Sequence, residues 1–244
     1  MHPAVIVLLI ILGIIVAYFA MLTLFWALVD TKKEYTDESR WYRFLLDLST
    51  RILMFLCGVR ANLENGEIVP EEPFLLVSNH RSNFDPLITW MLLPKQKLIF
   101  ISKPQNFHLP WFGRYIHRLR FLAIDRSDLA ASRKVFMKAS KLMSEEGRGV
   151  AVYPEGTRSK GEQMLPFHSA VFITAVRAGV PVVVCTIDGT EKVHLRWPRT
   201  TKIRLRCLEV IPADWIREHS LQQISDRAEA AMRRDLGLTE PPAA

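Results

Sequence analysis

The stretch Phe74-Leu75-Leu76-Val77-Ser78-Asn79-His80-Arg81-Ser82-Asn83-Phe84-Asp85-Pro86 changes character twice. Its first residues form a short apolar run of the kind that makes a buried strand. Six polar-rich positions follow. Asp85 then precedes Pro86, an N-cap followed by proline at the first helical position, which predicts a helix start. A strand, a loop and a helix thus occupy thirteen residues.

The same alternation continues along the chain. Residues 98–102, 121–124, 150–153 and 182–187 read as further buried strands, and 203–210 as a strand with charges on one face. Between them, Asp128 opens a helix whose apolar positions are Val135, Phe136, Ala139, Leu142 and Met143, stopped by Gly147. Another helix runs over 169–178 and closes at Gly179. Ser220 with Gln223 makes a capping box for the last, with Leu221, Ile224, Ala228 and Ala231 on one face. Such alternation predicts an α/β fold, a mostly parallel central sheet flanked by helices, with sites gathered in loops at the carboxyl ends of strands.

The first thirty residues are different. From Pro3 to Val29 the chain is apolar and carries no charge. That exceeds the roughly 20 residues needed to cross a bilayer. A secretory signal would have a basic start, a shorter apolar stretch and a small-residue cleavage site. Here the start is Met1-His2-Pro3, and Asp30-Thr31-Lys32-Lys33 follows the run. The reading is a retained anchor over 1–30, transmembrane or membrane-embedded. A helix that dips in and returns fits as well. Lys32, Lys33, Arg40 and Arg43 follow the run, so the positive-inside bias puts the globular part on the cytoplasmic side of the inner membrane. Within 31–60, Arg43, Asp47 and Arg51 share one helical face, and Phe44, Leu45, Leu48, Ile52, Phe55 and Leu56 the other. An interfacial amphipathic helix and a core helix both satisfy this pattern. Turn residues Gly58, Asn65, Gly66, Pro70 and Pro73 mark a boundary before a globular domain over 61–244.

The chain has 244 residues and a formal net charge of +7, which favours anionic partners. With an apolar anchor, the expected partner is an anionic membrane surface. The basic stretch Arg114, His117, Arg118, Arg120 and Arg126 is expected to face headgroups; no nucleic-acid fold signature accompanies it, and no nucleic acid is expected. Cys57, Cys185 and Cys207 are far apart in sequence and lack metal spacing, so small buried hydrophobes in a reducing compartment are expected. Neither a metal nor a cofactor is expected. Phe107, Trp111 and Phe112 are expected to pack or to touch the membrane.

Two loops carry the candidate chemistry. In the first, His80 and Asp85 are five residues apart across a strand-to-helix turn. A carboxylate there can bond one imidazole nitrogen and leave the other as a general base. An N-cap aspartate beside an unrelated histidine fits the same spacing. The second is Tyr153-Pro154-Glu155-Gly156-Thr157-Arg158-Ser159, after the strand at 150–153. Glycine permits close backbone approach, and arginine offers a planar fork that matches phosphate. A polar turn with a solvated arginine is the plainer account.

Together, His80 with Asp85 and then Glu155-Gly156-Thr157-Arg158-Ser159 resemble the glycerophospholipid acyltransferase family, as in bacterial 1-acyl-sn-glycerol-3-phosphate acyltransferases. An intermediate block, Lys103, Gly113 and Phe121-Leu122-Ala123-Ile124-Asp125-Arg126, and a final one, Val180-Pro181-Val182, keep the family's order over about residues 74–190. The resemblance implies transfer of a fatty acyl group from acyl-CoA or acyl-carrier protein to the sn-2 hydroxyl of a lysophospholipid acceptor, 1-acylglycerol-3-phosphate. It implies His80 as base and Asp85 as its orienting partner. It also implies Arg158 and Arg126 on the acceptor phosphate, with Lys103, Glu155, Gly156 and Thr157 in the substrate site.

The sequence departs from the family at three points. Phe167-His168-Ser169-Ala170 stands where the pattern is Phe-Lys-x-Gly, Gln105 where a glutamate is frequent, and Val184 where a second proline is usual. The missing lysine leaves open another lysophospholipid or lyso-aminolipid acceptor. A thioester-independent transacylase and a non-catalytic anionic-lipid-binding protein are the remaining alternatives.

Overall fold

The computed structural model describes residues 2–159 and 163–238. The strands are β1 (Val59–Glu64), β2 (Leu75–Ser78), β3 (Ile99–Ser102), β4 (Leu122–Ala123), β5 (Val150–Val152), β6 (Val182–Asp188) and β7 (Thr201–Ile211). They form one sheet in the order β1-β7-β6-β2-β5-β3-β4. All neighbouring pairs are parallel except β6 with β7. The helices are α1 (Pro3–Ala27), α2 (Arg40–Leu56), α3 (Asp85–Leu92), α4 (Phe112–Arg118), α5 (Leu129–Ser144), α6 (Ile173–Ala178), α7 (Val193–Arg196), α8 (Ala213–Glu218) and α9 (Leu221–Asp235).

Strand residues alternate between two helical layers, as a pleated sheet requires. Leu76, Phe100, Ala151, Tyr153 and Val183 face one core, completed by Leu22 of α1, Leu45 and Met54 of α2, Ile88 of α3 and Tyr115 of α4. Leu75, Val77, Ile99, Val150 and Val182 face the other, packed on Phe136 and Leu142 of α5, Ala175 of α6, and Ile224, Ala228 and Met232 of α9. The parallel α/β sheet of the sequence reading is present. The turn-rich segment expected between 58 and 73 also contains β1, which pairs in register with β7. Its sequence Val-Arg-Ala-Asn-Leu-Glu alternates, but Gly58 and Asn65 at its ends masked it.

Helix ends follow their caps. Asp128 Oδ1 accepts from the N–H groups of Ala130 and Ala131 at 2.8 and 2.9 Å, and Ser220 and Gln223 form the full capping box. Asp85 departs from expectation. It is the first residue of α3, with Phe84 as the N-cap, and its carboxylate points backward into the preceding loop.

The α1 helix divides into two parts. Over residues 5–16 most of its large apolar side chains are exposed. Its carboxyl-terminal part is docked on the domain. Tyr18 Oη and Ser49 Oγ lie 2.6 Å apart, Tyr42 donates to Phe25 O at 2.7 Å, and Tyr115 donates to Leu22 O at 3.0 Å. Trp111 donates through Nε1 to Thr23, while Phe112 packs against the core. Helix α2 contributes Tyr42, Leu45, Leu46 and Met54 to the buried core, while its Trp41, Phe44, Phe55 and Leu56 are exposed.

Of the stretch expected to face headgroups, Arg126 is exposed and the other four residues have partners within the protein. Arg114 donates to Trp26 O at 3.2 Å and stacks on the Trp26 ring. His117 meets Lys33 O, Arg118 pairs with Asp37, and Arg120 forks onto Glu146. These partners lie on the end of α1, the α1–α2 connection and a neighbouring turn, and the acidic residues of that connection also pair with Lys138 (Glu34) and Arg148 (Glu38). The cysteines far apart in sequence include a cross-strand pair: Cys185 and Cys207 are directly opposite on β6 and β7, with sulfurs 3.5 Å apart as free thiols.

Candidate active site

The loop between β2 and α3 is tied down at its first residue. Asn79 donates to Ile187 O at 2.9 Å and accepts from Ile187 N–H at 2.8 Å, so its side chain extends the β2–β6 ladder by one rung. His80 follows. Its Nδ1 lies 2.7 Å from Asp85 Oδ2. The same oxygen accepts the N–H groups of Arg81 at 2.7 Å and Ser82 at 2.8 Å. The other, Oδ1, accepts from the Thr190 hydroxyl at 2.5 Å. Asp85 is fully buried, and four donors converge on its carboxylate. Such donors hold the carboxylate in a fixed orientation. The carboxylate therefore fixes a proton on Nδ1 and leaves Nε2 as the acceptor. The His80 side chain is 18% exposed, and among the described residues no partner holds Nε2.

The loop after β5 builds the other wall. The ring of Tyr153 stacks on the imidazole with centroids 4.4 Å apart. Burial, and then the Asp85 charge, push the Tyr153 phenol well above its ordinary range, so it stays neutral. Glu155 is buried and turned inward. Its Oε1 accepts His80 N–H at 2.6 Å, and its Oε2 accepts Leu165 N–H at 2.9 Å. Burial pushes its carboxyl above the usual 4.5, against the pull of those two N–H groups. Ser159 closes the turn by donating its N–H to His80 O at 2.8 Å.

Gly156 adopts φ +75°, a region that favours glycine. A Cβ there would meet His168 Cδ2 at 2.8 Å and Arg126 Nη1 at 2.9 Å. The missing side chain is therefore the space into which a guanidinium and an imidazole lean. Lys103 Nζ reaches Thr157 Oγ1 at 3.5 Å, and Lys103, Thr157 and Arg158 are exposed. Arg158 has no hydrogen bond or ion pair among the described residues. All the sequence-predicted site residues thus converge at the carboxyl ends of β2, β3, β4 and β5. Sequence reasoning passed over Asn79, Tyr153, His168 and Thr190. For His168, its place at the absent family lysine was the available signal. For Thr190, 105 residues from its partner, there was none.

A family profile described as Acyltransferase matches residues 60–188. The chain is 26% identical over 155 residues to a 1-acyl-sn-glycerol-3-phosphate acyltransferase of Salmonella typhimurium, covering 63% of this chain and 62% of that protein. It is 31% identical over 143 residues to a probable 1-acyl-sn-glycerol-3-phosphate acyltransferase of Mycoplasma pneumoniae, covering 57% and 53%. In both comparisons the match spans less than two thirds of the relative. The fold matches the crystal structure of a 1-acyl-sn-glycerophosphate acyltransferase from Thermotoga maritima with a TM-score of 0.68, 23% identity, and coverage of 90% of this chain and 87% of that one.

Proposed function

The chain belongs to the acyltransferase family, and from that premise we propose that it transfers a fatty acyl group from a thioester donor, acyl-CoA or acyl-carrier protein, to the sn-2 hydroxyl of 1-acylglycerol-3-phosphate. The observation that carries this reading is the His80 Nδ1–Asp85 contact at 2.7 Å, with Nε2 left without a partner among the described residues in a half-open loop.

In this reading Nε2 of His80 takes the proton of the acceptor hydroxyl as its oxygen attacks the thioester carbonyl. Asp85 stabilises the imidazolium that forms. The tetrahedral adduct collapses, the carbon–sulfur bond breaks, and the imidazolium returns its proton to the leaving thiolate. No acyl-enzyme is formed, and the chain's own groups supply the acid and the base. General base catalysis of this kind contributes about 10²–10⁴-fold. The acceptor phosphate is assigned to the cations around the Gly156 turn: Arg126, Arg158, Lys103 and, when protonated, His168. A phosphate held there fixes the reach of the hydroxyl to His80. Three permanent cations remain although the family lysine is absent, which supports a phosphate acceptor over an uncharged one.

The membrane-facing element is α1 with the exposed apolar edge of α2. Residues 3–17 precede the docked part of α1 and extend about 22 Å at 1.5 Å per residue. That is short of a hydrocarbon core of about 30 Å. We place this part in the inner membrane, with the catalytic domain on the cytoplasmic side.

The test is acyl transfer by the detergent-solubilised protein from palmitoyl-CoA to a panel of lysophospholipids. Product from lysophosphatidic acid that disappears with His80→Ala is expected. Product from a different head group alone would move the substrate, and product from phospholipid donors without any thioester would replace the reading with a transacylase.

A further inference from the structure

The element that completes the environment of Asp85 and His80 lies far from both in sequence. That element is the turn after β6. Gly189 adopts φ +90°, and a Cβ on it would lie 2.5 Å from the backbone oxygen of Lys202. Glycine therefore lets the turn press against the start of β7 and reverse. Thr190 then projects inward. It is fully buried, and its hydroxyl donates to Asp85 Oδ1 at 2.5 Å. Three donors share Oδ2, whereas among the described residues Thr190 is the donor to Oδ1. The turn is registered against the catalytic loop by the paired bonds of Asn79 with Ile187, three residues before Thr190.

We propose that Thr190 is a positioning residue for acyl transfer: its hydroxyl fixes the plane of the Asp85 carboxylate and, through it, the tautomer and angle of His80. The proposal rests on the reading of His80 and Asp85 as the reacting pair. A carboxylate held through one oxygen alone can swivel about its Cβ–Cγ bond. With both oxygens bound its plane is set, and the second lone pair of Oδ1 is not left bare in a buried site, where an unmet acceptor is costly. The donated hydroxyl also draws charge toward Oδ1. Without it, more of the negative charge acts on the imidazole. The other ionisable groups around the pair are Tyr153 stacked on the ring, Glu155 on the His80 N–H, and Arg81 in the same loop, which faces Asp188 and Glu191. A change at Thr190 leaves all of these in place.

The experiment compares wild type, Thr190→Val and Thr190→Ser as full-length protein in detergent, each with ¹⁵N-labelled histidine. The His80 resonance is identified by its loss in His80→Gln. The imidazole titration midpoint is expected to rise in Thr190→Val and to return to the wild-type value in Thr190→Ser. In parallel, kcat with lysophosphatidic acid and palmitoyl-CoA is expected to fall about tenfold or more in the valine variant, as for loss of an outer-shell partner, with both KM values unchanged and activity restored by serine. An unchanged midpoint overturns the proposal, as does a kcat that falls only in proportion to lost folded protein. Thr190→Ala serves if valine does not fold. The titration needs no turnover, so it decides the role of Thr190 even if lysophosphatidic acid proves to be the wrong acceptor.

Discussion

The main-chain N–H of His80 donates to Glu155 Oε1 at 2.6 Å, joining two loops that lie 75 residues apart. Glu155 thereby acts on the histidine's backbone, with its second oxygen bound to Leu165 N–H. Its carboxyl is raised above 4.5, first by burial. The folded state therefore holds this proton at a pH where the unfolded chain has released it, and Glu155 lowers stability as pH rises from about 4.5 through its folded pKa. Each unit within that window costs up to about 1.4 kcal/mol. Glu155→Gln removes the titration, so the stability of wild type relative to this variant should decline between pH 4.5 and neutrality. Denaturation midpoints across that range check it; a relative stability that grows with pH would show that the two N–H bonds outweigh burial. The amide can accept only one of the two N–H groups through its oxygen, so kcat should also fall.

Asp85→Asn should be among the most damaging isosteric changes. Four donors point at the carboxylate, and an asparagine NH2 must face at least one of them. It also inverts the bond to Nδ1 and favours the wrong tautomer, which in a serine-protease triad costs about 10⁴-fold. The expectation is a kcat reduced by about 10³-fold or more with acceptor binding largely intact, read by single-turnover rates beside lysophospholipid binding. His80→Ala should abolish transfer while binding survives. A variant Asp85→Asn with near-native kcat would mean that the pair is architectural.

At the Gly156 turn the prediction separates the two substrates. Arg158→Ala should raise the acceptor KM by about ten- to a hundredfold, the loss of a charge-assisted bond, and change the donor KM less. Gly156→Ala introduces a Cβ against the ends of the His168 and Arg126 side chains at a φ of +75°. Those ends can move, so the fold should persist while the acceptor KM rises. Steady-state kinetics with each substrate varied in turn decide this, and equal effects on both KM values would contradict a phosphate-holding role.

Much of this architecture was legible because it is local. The apolar run before Asn79 gave β2, and Asp128 and the Ser220–Gln223 box marked the starts of α5 and α9 through bonds reaching only three residues. What escaped was non-local. Strand β1 is stabilised by β7, some 140 residues away, so its own turn-flanked sequence did not declare it. Arg114, Arg118 and Arg120 looked like a free basic face because their partners lie on the end of α1, the α1–α2 connection or a later turn. Asp85 was read both as a helix cap and as the partner of His80; its long-range bond to Thr190, 105 residues away, was the part that no local pattern declared.

The division of α1 makes a final prediction about two truncations. Removing residues 2–17 takes away side chains such as Leu8, Leu12 and Ile14, which are more than half exposed. It leaves the bonds of Tyr18, Leu22 and Phe25 to α2 and α4. Removing residues 2–27 also strips buried Leu22 and the partly buried Tyr18 and Phe25 from the core, and leaves Tyr42 and Tyr115 without acceptors. Full burial of one large apolar side chain is worth about 1.5–3 kcal/mol, and an orphaned buried hydroxyl costs about 1–3. The shorter truncation should therefore keep its melting temperature in detergent but float poorly with vesicles containing anionic lipid. The longer one should lose the fold's stability outright. If the 2–17 truncation melts as early as the 2–27 one, the exposed half of α1 supports the domain and is more than a membrane contact.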